Sequence, residues 1–206
     1  MTPVVLQLII ANVALFFAQQ WVGDALVLNF ALWPLGTFPV EGTDLSVGFR
    51  PWQLVTYAFL HGGTSHLLLN MFALYMFGRD VELELGSKRF ALMYGASVLA
   101  GGLCQLLVVT AMIHQGIAPT VGASGGVFGV LLAFGVMFPK RRVMLLIPPI
   151  PMPAWLLVTG YAVIELASGV FGSNTGVAHF AHLGGMVGAA VVLLTLKRPK
   201  PPSHLR

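Results

Sequence analysis

Charged side chains are scarce in this chain. They make up 9% of its 206 residues, against 57% hydrophobic ones, where a soluble domain carries about 25% charged residues. That deficit excludes a surface built for water. Cysteine is nearly absent: Cys104 stands alone in an apolar run, so no internal disulfide can form. Short alternating segments are missing, which excludes a transmembrane barrel. No basic stretch precedes the first apolar run, so that run is expected to be a retained helix and not a cleaved signal. The net charge is +4, but the basic residues stand at segment ends, where they set topology, and form no patch for nucleic acid.

What is present is a series of long apolar runs. Several reach the ~20 residues needed to cross ~30 Å of hydrocarbon. The expected fold is an all-α membrane protein, a polytopic bundle of six transmembrane helices. The spans fall at about 3–21, 65–85, 90–113, 122–138, 153–171 and 177–196. Residues 22–64 form a long, mixed first loop. Its apolar stretch 51–60 is too short to span and fits an interfacial or half-inserted element. Trp33 and Trp52 are expected at headgroup depth. Residues 1–196 are thus one membrane domain, and 197–206 a basic tail.

Lysine and arginine give the orientation. Ten of the eleven lie at or after the ends of segments 2, 4 and 6: Arg79, Lys88, Arg89, Lys140, Arg141, Arg142, Lys197, Arg198, Lys200 and Arg206. Arg50 alone lies on the other side. By the positive-inside rule both termini, and with them the tail, should be cytoplasmic. The compact six-span form and the lack of a presequence point to a cell inner membrane.

The chemistry is expected around Val121-Gly-Ala-Ser124-Gly-Gly-Val-Phe-Gly129. From Ser124 to Phe138 is 14 residue steps, about 21 Å at ~1.5 Å each. From His182 to Leu196 is also 14 steps, again about 21 Å. Segments 4 and 6 run in the same direction, so Ser124 and His182 should share a depth. Gly125/Gly129 and Gly184/Gly188 are GxxxG pairs, which let helix backbones approach in lipid. Serine needs a base to take its proton, and histidine is the usual one. Gly122-Ala-Ser124-Gly-Gly126 also matches the GxSxG elbow, but that motif requires a strand–turn–helix context which is missing here. Ser124 and His182 are therefore read as a catalytic dyad.

His66 and Asn70 stand four apart, on one face at the start of segment 2. As paired donors near a serine and a histidine they suggest an oxyanion hole. His61 lies just outside the span and reads as structural, holding the preceding loop. Glu165 is the one acid deep in a span. It reads as a polar contact within the bundle more readily than as a third catalytic member. A zinc site built from His61, His66 and His182 is disfavoured: there is no HExxH, no acid beside the histidines, and Ser124 would be left unexplained. His114 and His179 lie near loops and are expected to be solvated, and His204 is in the tail. No cofactor and no metal are expected.

These residues, in this order, resemble the rhomboid family of intramembrane serine proteases. The resemblance rests on Gly122-Ala-Ser124-Gly125, Ala181-His182-Leu-Gly-Gly185, His66 with Asn70, and Gly78-x3-Glu82-x3-Gly86, and covers about residues 3–196. It implies that Ser124 attacks a peptide carbonyl of a transmembrane protein substrate within the lipid bilayer. His182 would serve as general base and then general acid. His66, Asn70 and the Ser124 backbone N–H would hold the oxyanion. The first loop would be the half-embedded flank typical of the family. Two positions depart from the pattern. The loop reads Trp52-Gln53 where a Trp-Arg pair is common, and Phe128 stands where tyrosine is frequent. The phenyl ring can still stack on His182. Two other classes remain open: a non-catalytic binder of transmembrane clients, and a channel, for which no inverted repeat is evident.

Overall fold

The structure, a computed structural model, describes residues 1–112, 117–144, 149–172 and 178–195. It is mostly helical. Helix α1 spans Pro3–Val22, with proline in its first turn, and stops at Gly23, whose φ of 70° suits glycine. The first loop carries a short α2 (Asp24–Phe30), a hairpin of β1 (Phe38–Pro39) and β2 (Ser46–Val47), and α3 (Gln53–Thr56), which continues as a 3-10 turn to Phe59. Segment 2 is α4 (Thr64–Ala73), a π turn (Leu74–Gly78) and α5 (Arg79–Leu85) in unbroken succession. Then come α6 (Ser87–Ala111), α7 (Ser124–Met137), α8 (Ala154–Phe171) and α9 (His179–Thr195).

Among the described residues, α1, α6 and α8 are long and apolar enough to cross a membrane, and α7 and α9 are shorter apolar helices. The exposed large side chains are hydrophobic on most helices, for example Leu107, Val163 and Val187 at 60–67% exposure. Such a surface suits lipid, and the chain is a helical membrane protein.

A carboxylate fastens the first three segments. The first four N–H groups of any helix lack partners within it. At α1, Thr2 gives no side-chain cap. Glu82 of α5 supplies it instead: the Val4 N–H donates to Oε1 at 3.0 Å and the Val5 N–H to Oε2 at 2.9 Å. The Ser87 hydroxyl at the start of α6 donates to Oε1 at 2.7 Å. The acid sits at the positive end of α1, where a negative charge is stabilised.

The first loop is anchored from within. Trp33 is 7% exposed, and its indole N–H donates to Val27 O at 3.2 Å. It packs in the protein, while Trp52 stays half exposed. Gln53 is fully buried. Its Oε1 accepts from the Arg50 and Trp33 backbone N–H groups, and its Nε2 donates to Asn29 O and Gly48 O. A neutral amide thus satisfies four backbone groups of an irregular loop. Tyr57 docks the short helix on α6, its hydroxyl donating to Val98 O at 2.9 Å.

The proline-rich link between segments 4 and 5 holds an antiparallel strand pair, β3 (Arg142–Met144) with β4 (Pro151–Pro153). Pro148 lies outside the described residues, as do His114 and the tail 197–206. Arg141 pairs with Asp80 at the end of segment 2.

The Glu82 arrangement makes a prediction. Glu82→Ala orphans two α1 donors, one of them buried. It should cost about 1–3 kcal/mol, read as a lower thermal unfolding temperature in detergent. An unchanged temperature would show that α1 is capped by other means.

Candidate active site

Ser124 is the first residue of α7. The turn before it needs glycine, because Gly122 has φ 130° and a Cβ there would lie 2.7 Å from His66 Cε1. Its N–H donates to Tyr57 O at 2.9 Å, so the first loop fixes the turn. As the first helical residue, Ser124 keeps a backbone N–H that the helix does not use, at the positive end of the helix dipole.

His182 lies one turn into α9, and its Nε2 is 2.7 Å from Ser124 Oγ. The two expected partners meet. The Phe128 ring stacks on the imidazole, centroids 4.2 Å apart and planes within 4°. This contact fixes the ring plane without the hydroxyl of a tyrosine.

The helix approach that allows this differs in detail from the GxxxG expectation. Gly184 and Gly188 face α6: a Cβ on either would come within 2.8 Å of the carbonyl oxygen of Ala100 or Ala96. It is Gly185 that meets α7. A Cβ there would sit 2.0 Å from Gly125 O. Residues on one α9 face therefore serve α6, and the neighbouring glycine serves α7.

His66, Asn70, Ser124 and His182 line a common cavity of about 820 Å³, otherwise walled mainly by apolar side chains such as Phe77 and Leu131. Asn70 is buried and spends one amide hydrogen on His66 O at 2.9 Å, which leaves the other free. His61 is 1% exposed, and its ring packs edge-on against His66 at 5.1 Å. Burial, and then the charge of His66, pushes the His61 imidazole down to about 4, so it is neutral near pH 7. Its backbone, not its ring, holds the loop: the N–H donates to Gln19 Oε1 and the carbonyl accepts from Gln19 Nε2.

Two further residues stand at the site: Glu165, expected as a polar contact within the bundle, and His179, expected to be solvated. Glu165 of α8 is 8% exposed, and its Oε2 is 2.9 Å from His182 Nδ1. The contact is a close charge contact, since the oxygen lies off the direction of a good hydrogen bond from Nδ1. The same oxygen is 2.7 Å from His179 Nδ1. An acid does therefore stand beside the histidines. His179 is not solvated, because its side chain is 16% exposed. The available signal was His179-x-x-His182, which puts both rings on one face of α9, opposite a lone acid in the neighbouring span.

A profile described as Rhomboid domain matches residues 48–199. The chain belongs to the rhomboid family. It is 34% identical over 133 residues to Rhomboid protein 1, mitochondrial, of Saccharomyces cerevisiae, covering 65% of this chain and 38% of that protein. It is 31% identical over 149 residues to Rhomboid protease GluP of Bacillus subtilis, covering 72% of this chain and 27% of that one. RHOMBOID-like protein 6, mitochondrial, of Arabidopsis thaliana is 27% identical over 229 residues, covering 97% and 70%. The rhomboid chain thus spans well under two thirds of the yeast and Bacillus relatives.

The α7–α9 approach is testable. Gly185→Ala pushes a methyl group into a backbone carbonyl that cannot yield, and should cost at least about 1–3 kcal/mol. Gly160→Ala in α8, with nothing within 4 Å, should be neutral or stabilising by thermal unfolding. Equal effects would refute the glycine contact.

Proposed function

We propose that this rhomboid protein is an intramembrane serine endopeptidase that cleaves transmembrane protein substrates. The observation that carries the reading is the 2.7 Å contact between Ser124 Oγ and His182 Nε2 at the start of α7. With the imidazole proton on Nδ1, beside Glu165, Nε2 is free to accept the serine proton. Ser124 Oγ then adds to the substrate carbonyl carbon as His182 takes that proton. The carbonyl oxygen becomes an oxyanion. Donors aimed at it are the Ser124 N–H, His66 and Asn70, in a cavity where such bonds are strong. His182 passes the proton to the leaving amine, and the acyl-enzyme forms. A water, deprotonated by the same nitrogen, hydrolyses the ester and restores Ser124. No step calls for a metal or a cofactor.

The reading carries a membrane placement with it. Segment 2, interrupted by its π turn, and the shorter α7 and α9 join α1, α6 and α8 as six spans of one domain. In this reading the α7 and α9 starts sit below one membrane face because these helices are short: α7 has 14 residues and α9 has 17, about 21 and 26 Å at ~1.5 Å each. The cavity would then open to the non-cytoplasmic side, admitting water at a depth lipid keeps dry. The first loop lies half embedded as a flank. The termini, with the basic tail, are cytoplasmic in a cell inner membrane. A C-terminal reporter active only in the cytoplasm should report activity, and a silent one would invert the topology.

Cleavage of a single-span substrate by purified protein is the decisive test. Ser124→Ala and His182→Ala should each lower the rate by at least about 10³-fold, and Asn70→Ala by up to about 10²-fold. Cleavage that survives Ser124→Ala would discard the mechanism. Substrate binding by the wild type without cleavage would favour the non-catalytic binder.

A further inference from the structure

The cluster at the α8–α9 junction is more than a support for His182. Glu165, His179 and His182 each present one donor atom, and the three lie within 4.8 Å of one another. The set is two imidazoles and a carboxylate, the donor chemistry zinc takes in its three-ligand sites. His179 and His182 are three residues apart on one face of α9, and Glu165 faces them from α8. The arrangement is therefore rigid on two helices and does not depend on a loop. The tightest spacings, 2.7 and 2.9 Å to Glu165 Oε2, are those of a proton-filled cluster. Ligands around zinc at ~2.0–2.1 Å stand about 3.3 Å apart, so an ion would part each imidazole from Glu165 by roughly half an ångström and draw the two imidazole nitrogens, which lie within 4.8 Å of each other, to about that same spacing.

A second observation points to a ligand. His182 is 8% exposed, and its Nδ1 is a buried nitrogen with no hydrogen bond of good geometry, although it faces the cluster. Buried polar atoms are rarely left so. The polar neighbour of this nitrogen is Glu165 Oε2 at 2.9 Å, a contact without the angle of a good hydrogen bond.

We propose that Glu165, His179 and His182 form a binding site for a zinc-class divalent cation, and that filling it switches the serine site off. The inhibitory part rests on the endopeptidase reading above; the binding part does not. The switch follows from tautomer chemistry. A cation on Nδ1 displaces the proton held there. A neutral imidazole ligated at Nδ1 carries its proton on Nε2. Nε2 then donates and cannot accept, so Ser124 loses its base while its 2.7 Å contact persists. Glu165 is drawn to the same ion and no longer favours the active tautomer. Binding releases protons to solvent, as it does wherever protonated ligands are displaced. The fourth position of the ion is left to water.

The test uses the full chain in detergent and Zn²⁺ as the probe, with binding read by competition with a chromophoric chelator. One zinc per wild-type chain is expected. Glu165→Gln and His179→Ala should each weaken binding by about tenfold or more, while Ser124→Ala binds as wild type does. In cleavage assays zinc should inhibit, a chelator should restore the rate, and His179→Ala should raise the half-inhibiting zinc concentration by a similar factor. His179 lies in the first turn of α9, so its variant keeps the test valid where Glu165→Gln fails to fold. No zinc binding by the wild type, or binding that both variants leave intact, overturns the site. Zinc binding that leaves cleavage unaffected overturns the switch. Cleavage that persists in Ser124→Ala overturns the endopeptidase reading and leaves the site standing.

Discussion

The contact on which the site depends is between two backbones. Gly185 of α9 lies so close to Gly125 O of α7 that a Cβ would come within 2.0 Å. No side chain can be inserted there without moving a helix. In lipid there is no hydrophobic drive between helices, and close backbone packing takes its place. The approach brings the first turns of two short helices together. One presents Ser124 and the other, three residues before Gly185, His182. The same helix uses Gly184 and Gly188 against α6, so α9 is held on two sides before any polar contact is made.

Much of this was legible in the sequence. Matched distances to the far ends of segments 4 and 6 put Ser124 and His182 level with each other, and the glycines announced close packing. The spacing of His66 and Asn70 put them on one face, and both line the cavity that holds the pair. The family resemblance implied a ring from position 128 on His182, and Phe128 stacks there. What failed was the assignment of partners. Glycines on a helix mark a capacity to pack, not the helix they pack on, and adjacent positions of α9 turned out to serve α6 and α7 separately. Trp33 gave no sign of its partner, a carbonyl inside the fold. Gln53 looked like a departure and proved to be the centre of the first loop, because a buried amide can both donate and accept.

Glu165 was the hardest residue to read. One acid in a span signals a polar contact without saying which. Its partners sit on the next helix, and nothing in spacing alone orients α8 about its axis. The paired histidines three apart were the available clue, and the position of His179 near a segment end obscured it.

The two buried acids show how differently a fold can hold a carboxylate away from water. Glu82 is satisfied by fixed donors: two backbone N–H groups and a hydroxyl. None of them titrates near neutrality, so its bonds are permanent and its role is to fasten three segments. Glu165 meets two imidazole nitrogens on a single oxygen. Imidazoles exchange protons and accept metal ions, so those contacts change strength with what His179 and His182 carry. A buried charge needs compensation in every state it visits. The packing of α8 on α9 at this level is therefore tied to the chemistry of His182, whereas the packing of α1 on α5 is tied to nothing that reacts.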